Sequence, residues 1–306
     1  MNTWSDIKTI YKLYIYISNG EKSTSIYANK AHQVPINIII EARDAKNNSI
    51  ILSNEEIYKH IKLVDYKNDA IPNSILEVSD KEGAYAYPIP KPITYSSAAS
   101  SCLCYLSVPK VSESPLKVSV SVMVGDTEYT TSTINNNNNA TPDFISLNIQ
   151  PQRIFNNDDL DIVTKNESDF GGYNCVLRKY YVRFKTAQNT ITHDALCDTG
   201  YWFHYKQTGN YKGCCTSTDS SIKRDISATY TKKFTFTSSW SITVTSKNHE
   251  ETGICFWSYR VWHGALWSYS EWKKSLHFFL HDQYGNRADI NVTSNGDNQI
   301  SFNVIV

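Results

Sequence analysis

Apolar and polar residues alternate with a period of two over most of this chain, and few stretches carry the 3.6 period of a helix. Thr9 to Ser18 alternates as a strand with Tyr11, Leu13, Ile15 and Ile17 on one side. Val34 to Ala42 is nearly continuous in apolar character, which predicts a central strand, and it runs through the turn signal Arg43–Asn48 into Ser49–Leu52. Ser53-Asn54-Glu55-Glu56 reads as a capping box in which Ser53 accepts from the third helical N–H and Glu56 reaches back, predicting a short helix to about His60 and then a strand to Tyr66. Residues 67 to 115, with Pro88, Pro90 and Pro92, read as loops and edge strands. Residues 116–123 and 127–133 pair across Gly125-Asp126, and the Asn135–Asn139 tract is a loop or linker before a strand at 144–150. Pro151 is the expected domain boundary, giving domains of residues 1–150 and 151–306.

The second half is more aromatic. Strands are predicted at 173–185, 201–205, 276–281, 290–292 and 300–306. Ser227 to Lys247 alternates over a long distance: Tyr230, Phe234, Phe236, Trp240, Ile242 and Val244 share one parity, and Thr and Ser fill the other. Phe256 to Trp272 holds four of the seven tryptophans, one every fifth residue. That spacing fits neither period, so the segment is expected to fold as a hairpin with His263-Gly264 at its turn, Trp262 facing Ala265 and Arg260 facing Trp267. Trp262, Trp267 and Tyr269 then share one face, and Trp257, Tyr259, Val261 and Leu266 the other.

Composition agrees with the pattern. Tyr, Thr, Ile and Val abound, whereas helix formers do not gather in periodic runs, so the fold class is all-β: two tandem antiparallel β-sandwiches. Thirty basic and thirty acidic residues cancel, which gives no reason to expect nucleic acid as a partner and leaves self-association weakly opposed. The N-terminal residues have no apolar run of signal-peptide length, and no run of about 18 apolar residues exists. The expectation is synthesis in the cytoplasm, with any release by an unconventional route, so the Asn-x-Ser/Thr triplets at 47, 139, 166 and 291 read as plain surface asparagines. After release into an oxidising medium the seven cysteines can cross-link within or between molecules, and their odd number leaves at least one thiol for an intermolecular bridge.

Ile38–Asn48 and Phe278–Asn286 share a punctuation: an apolar strand, Asp, two residues, then Gly or Asn and Asn before another strand. This resembles bacterial immunoglobulin-like modules of the invasin and intimin type, which implies an immunoglobulin-like sandwich and a surface or interaction role. The Ser/Thr-rich run 227–247 loosely resembles the insertion strands of aerolysin-type pore-forming toxins, and it also suits the solvated face of an ordinary sheet.

Catalytic and metal motifs are sparse. His277 and His281 flank Phe278–Leu280 without a helical zinc motif, and Cys197, His204, Cys214 and Cys215, like Cys102 and Cys104, have no zinc-type spacing. Asn157–Asp161 is acidic but lacks the spaced calcium loop. There is no Gly-x-Ser-x-Gly and no phosphate-cradling loop. The expected protein is therefore non-catalytic, with no cofactor and no metal site: a bacterial recognition or assembly protein, surface-interacting, toxin-associated or inclusion-forming. Trp262, Trp267, Tyr269, Trp272 and Arg260 are its candidate ligand-binding residues, offered to a glycan or protein partner, because Trp and Tyr rings bury much area at small entropic cost. The alternatives are a β-pore-forming toxin using residues 227–247, the one reading that involves a membrane, and a hydrolase with a dispersed site.

Overall fold

The computed structural model describes residues 2–91, 95–112, 114–132, 142–168, 175–185, 194–196, 201–207, 210–216, 229–237, 240–247, 254–262, 270–273, 276–294 and 300–305. The described residues are all-β with one short α-helix among them, and by its internal contacts the chain divides into two compact units. Unit 1 is Met1–Arg153 with Tyr284–Asn286; unit 2 is Ile154–Gln283 with Arg287–Val306.

Unit 1 comprises β1 (Thr9–Ile17), β2 (Ser23–Ala28), β3 (His32–Arg43), β4 (Ser49–Ile50), α1 (Asn54–His60), β5 (Ile61–Asp65), β6 (Glu77–Ser79), β7 (Tyr85–Ala86), β8 (Ser100–Ser107), β9 (Leu116–Val124), β10 (Thr127–Thr130) and β11 (Ile145–Pro151). One sheet runs β1-β3-β8-β6, with β4 and β7 also on β3; the other runs β10-β9-β11-β2, with β5 on β9. Pairing is antiparallel except for β2 with β11 and β3 with β7, which are parallel. Both sheets send alternate residues into one core, among them Ile15, Ile17, Ile36 and Ile38 from the first and Val118, Val120, Ile145 and Leu147 from the second. Burying each such side chain stabilises the fold by about 1.5–3 kcal/mol.

Two local expectations change for physical reasons. In β1 the register shifts between Ile10 and Lys12, so Ile10 takes the inward place expected for Tyr11, and Tyr11 is left 54% exposed. At α1, Ser53 Oγ accepts from Glu56 N–H at 3.2 Å, but Glu56 does not reach back. Its Oε1 instead accepts from the backbone N–H of Trp4 at 2.8 Å, and the Trp4 indole stacks on His60 at 4.4 Å.

The Asp punctuation seen in the sequence is a recurrent turn. Asp44 Oδ1 accepts from the N–H groups of Lys46 and Asn48, both at 2.8 Å, and Asn47 sits at φ 68°. Asp65 repeats this with Lys67 and Asp69, both at 2.8 Å, and Asn68 sits at φ 74°. In Asp282–Asn286 the fourth position is Gly285 at φ 71°. The fourth residue must be left-handed, which Gly and Asn tolerate best, so Asn47 is the counterpart of Gly285.

Unit 2 comprises β12 (Leu160–Ser168), β13 (Cys175–Phe184), β14 (Asp194–Leu196), β15 (Tyr201–Gln207), β16 (Asn210–Thr216), β17 (Thr229–Thr237), β18 (Trp240–Lys247), β19 (Ile254–Trp262), β20 (Ser270–Lys273), β21 (Leu276–His281), β22 (Arg287–Ser294) and β23 (Ile300–Ile305). Its sheets are β12-β13-β19-β16-β15-β20, β14-β21-β22-β23 and the pair β17-β18. Leu160, Tyr180, Val182 and Phe184 of the six-stranded sheet share one core with Phe278, Leu280, Ile290 and Phe302 of the four-stranded sheet.

The expected Trp-rich hairpin is not how the segment pairs. A strand has two edges, and at Arg260 both are taken: Val176 of β13 lies opposite on one side and Lys212 of β16 on the other. Both neighbours of Arg260 thus come from strands other than the one expected; Trp267 lies outside the described residues, and β20 pairs with β15, three strands beyond β19 and so about 14 Å away.

Candidate functional site

The six-stranded sheet of unit 2 contributes to an open cleft among the described residues. Its register builds it: Thr164 and Tyr180 are directly opposed across β12 and β13, and two residues on Asn166 opposes Arg178. Residues two apart on a strand return to the same face, so these four side chains share one face. With Ile300 of β23 they line a cleft of about 320 Å³. Ile300 and Tyr180 are each 6% exposed and belong to the core, and the Tyr180 ring packs on Phe302 with centroids 5.8 Å apart. One wall is thus anchored in the hydrophobic interior, while a guanidinium, a carboxamide and a hydroxyl face the opening. Such a lining recognises polar ligands through directional hydrogen bonds.

The candidate residues drawn from the sequence fall in different places. Arg260 lies in the cross-strand row Ser168–Val176–Arg260–Lys212–Tyr205–Glu271, next to the row of Asn166 and Arg178 and of the same parity. Trp262, opposite Asn210, is two residues further and again of that parity. Trp272 is opposite His204, in the row of Gly213, Tyr259 and Leu177, which has the other parity. Trp267 and Tyr269 lie outside the described residues. None of the cleft residues was a candidate binding residue from sequence, and Asn166 was read as a plain surface asparagine. Arg178 was the available signal: within the aromatic strand 173–185 it takes the parity of Tyr180, Val182 and Phe184, so its charge interrupts the face that otherwise turns to the core.

The groups most suggestive of chemistry have structural explanations. His32 of unit 1 is fully buried: Nδ1 accepts from Tyr27 N–H at 3.0 Å, so the ring proton sits on Nε2, 3.2 Å from the Tyr87 carbonyl. Burial pushes its pKa down to about 4 against the smaller opposing effect of the Tyr87 bond. The rings of Tyr27 and Tyr284 surround it at 6.0 and 5.0 Å. Cys102 and Cys104 are buried on β8 with sulfurs 3.9 Å apart. Their mutual hydrogen bond pulls Cys102 below the usual thiol range and, with burial, pushes Cys104 well above it. Neither thiol is open to a substrate.

Lys22 binds Asp143 and the Ile15 carbonyl and stacks 3.5 Å over Tyr16. Asp143 also accepts from Ile15 N–H at 2.9 Å, so this pair ties β1 to the segment entering β11. On β21, His277 and His281 alternate with buried Phe278 and Leu280, and the Phe279 ring between them meets the Arg287 guanidinium at 4.3 Å. Asn157–Asp159 form one turn of 3-10 helix capped by Asn156, whose side chain accepts from Asp158 N–H at 2.8 Å. Among the described residues no three His, Cys, Asp or Glu side chains gather as metal ligands, and no helix is long and apolar enough to cross a membrane.

No family model matches the chain, and no curated protein matches it. Among solved structures, the collagen binding domain of Erysipelothrix rhusiopathiae surface protein RspB aligns over 99% of this chain and 96% of that one, at 9% identity and a TM-score of 0.15. At that TM-score the alignment carries no argument about this chain.

Proposed function

We propose that this is a non-catalytic recognition protein whose second unit engages its partner, a glycan or a protein, along one face of the six-stranded sheet. The observation that carries the reading is the polar cleft at Thr164, Asn166, Arg178, Tyr180 and Ile300, which continues by register into the rows of Arg260 and Trp262. In the same proposal each unit is a domain of immunoglobulin-like sandwich type; two sheets sharing one buried cluster support this. Aromatic and arginine side chains beside a polar cleft combine area, stacking and charge, the usual ingredients of an affinity anchor. The test is binding of the full chain to glycan and extracellular-protein arrays by wild type and by Trp262→Ala and Trp267→Ala. Loss of about tenfold or more in affinity with unchanged melting supports the reading; full binding by both variants, or melting of both far below wild type, removes these rings from the site.

A second reading has its own observation. The Ser/Thr-rich run, which looked like a single strand, turns back on itself as β17 and β18, nine and eight residues long, paired with each other and with no further strand among the described residues. In the register Phe234 opposes Ile242 and Lys232 opposes Val244, while Thr231 opposes Thr245 and Thr235 opposes Ser241. One parity is thus mainly apolar and the other hydroxylated, and β17 reaches the length of about 9–11 residues that a tilted strand needs to span a bilayer, with β18 one residue short of it. Under this reading phosphatidylcholine vesicles loaded with a self-quenching dye leak on addition of wild type, and Ile242→Asp abolishes the leak. Tight vesicles throughout pH 5 to 8 would rule the pore out.

A further inference from the structure

β8 of unit 1 carries two neighbouring thiols that the recognition reading leaves unused. Residues two apart on a strand face the same way, so Cys102 and Cys104 both enter the core, opposite Ile38 and Ile36 of β3, and both are fully buried. Their sulfurs lie 3.9 Å apart and share a hydrogen bond. Two residues of strand span about 6.6–6.8 Å between Cα atoms, just inside the upper limit of about 6.8 Å that a disulfide bridges. Turning the two side chains toward each other closes the gap to a bond of about 2.05 Å, but only with the backbone of β8 drawn in.

The backbone between the cysteines carries a contact that such a pull disturbs. β6 pairs with β8 at residues 105–107, and short of that pairing the N–H of Leu103 donates to Asn54 Oδ1 at 2.7 Å. Asn54 opens α1, and Leu52, just before the helix, donates its N–H to Ser100 Oγ at 2.8 Å. β8 thus anchors the start of the helix at two points, one of them the residue between the two thiols. Behind this anchor, Ile57 of α1 is fully buried in the same core as the cysteines, and Glu56 holds the backbone of Trp4. A bridge closing so short a loop restrains the unfolded chain least while it strains the fold, so its net effect on unit 1 is destabilising. Strained bridges are also the easily reduced ones.

We propose that Cys102 and Cys104 form an oxidation site: hydrogen peroxide converts the two thiols to an intrastrand disulfide, which breaks the Asn54–Leu103 contact and loosens α1, and a thiol reductant reverses the change. The Cys102 sulfur, which the Cys104 S–H stabilises as thiolate, attacks one peroxide oxygen; the O–O bond breaks, and the other oxygen leaves as water with the Cys102 proton. The Cys104 sulfur then attacks the sulfur of the resulting sulfenic acid, the S–O bond breaks, and the hydroxyl leaves as water with the Cys104 proton. Two thiols and one peroxide thus give one disulfide and two waters, the sulfurs losing the two electrons that the peroxide gains. Burial selects the oxidant: hydrogen peroxide is little larger than water, whereas a bulky disulfide such as oxidised glutathione does not reach sulfurs without exposed surface.

The experiment treats the full chain with hydrogen peroxide or with oxidised glutathione under native conditions, alkylates the remaining thiols in denaturant, and determines the mass of the peptide that holds both cysteines. Reading that one peptide keeps the other five of the seven cysteines out of the result. The expected peptide after peroxide is lighter by two hydrogens, carries no alkyl group and is restored by dithiothreitol, while oxidised glutathione acts at least tenfold more slowly. With the bridge closed, the Leu103 amide exchanges its hydrogen at least tenfold faster and the melting temperature falls by about 2–4 °C. Cys104→Ala, which places no polar atom in the core, stops the reaction at the sulfenic or sulfinic acid of Cys102; the wild-type peptide decides the matter even if this variant does not fold. Two alkylated thiols after peroxide, or sulfinic acid without a bridge, overturn the proposal. Equal rates with oxidised glutathione also overturn it, because the pair then reacts only through global unfolding. A bridge that leaves both exchange and melting unchanged overturns the loosening of α1.

Discussion

Gly285→Val is expected to destabilise unit 1 by about 2–5 kcal/mol, the sum of a left-handed backbone and an overpacked contact. Gly285 has φ 71°, and a Cβ built there meets Ala31 Cβ at 2.7 Å and Tyr85 Cδ2 at 2.9 Å. Neither neighbour is free to retreat. Ala31 N–H is held by Asn29 Oδ1 at 3.0 Å, and Tyr85 is opposite His32 in the β3–β7 ladder. The same Asn29 also donates through Nδ2 to the Tyr284 carbonyl at 2.9 Å and to Asn286 Oδ1 at 3.0 Å, so the turn is fixed on both sides of the glycine. Gly125→Ala is the control, because Gly125 shares the positive φ, 59°, but has nothing within 4 Å of the added carbon. It should cost only the backbone part, about 1 kcal/mol. Urea unfolding of both variants measures the difference; equal losses would mean that the contacts at Ala31 and Tyr85 do not constrain the turn.

What the sequence revealed, and where it misled, follows from how local each signal is. The apolar run 34–42 announced a strand buried on both faces, and β3 lies between β1 and β8. Gly125-Asp126 announced its hairpin, because a reversal is written in the residues that make it: Val124 pairs with Thr127. Parity across 227–247 was also legible, but not the chain reversal within it, since Ser238 and Ser239 carry no strong turn chemistry. The segment 256–272 looked like a hairpin only while its neighbours were unknown; strands arriving from 175–184 and 210–216 occupy both edges of β19. The cleft was least legible of all. It joins residues 164–166, 178–180 and 300, and β12 is an edge strand with little apolar alternation, its Ile162 being 40% exposed. Non-local pairing of this kind leaves no period in the sequence.

Acidification supplies the second large effect, through His32. Its folded pKa of about 4 lies below the ordinary value of 6.5, so the folded chain resists a proton that the unfolded chain accepts. Above pH 6.5 the ring is neutral in both states and contributes no pH dependence. Between pH 6.5 and 4 only the unfolded state takes up the proton, so stability falls with falling pH at up to about 1.4 kcal/mol per unit. The loss levels off below the folded pKa at about 3 kcal/mol. Geometry explains the resistance: a proton on Nδ1 would point at the Tyr27 N–H that now donates to it, donor against donor, inside a ring of Tyr27, Tyr87 and Tyr284. Carboxylates held below their usual range, among them Asp44 and Asp289, also lose stabilising contacts on acidification, so the informative quantity is a difference between proteins. His32→Phe leaves the part-buried Tyr27 amide without its acceptor and should be less stable at pH 7 by about 1–3 kcal/mol, yet its stability should decline less steeply from pH 6.5 to 4.5. Guanidinium unfolding of both proteins at half-unit steps of pH gives the two slopes. Parallel slopes would mean that His32 takes its proton as readily in the fold as outside it, and the buried neutral ring would then be the wrong description of this site.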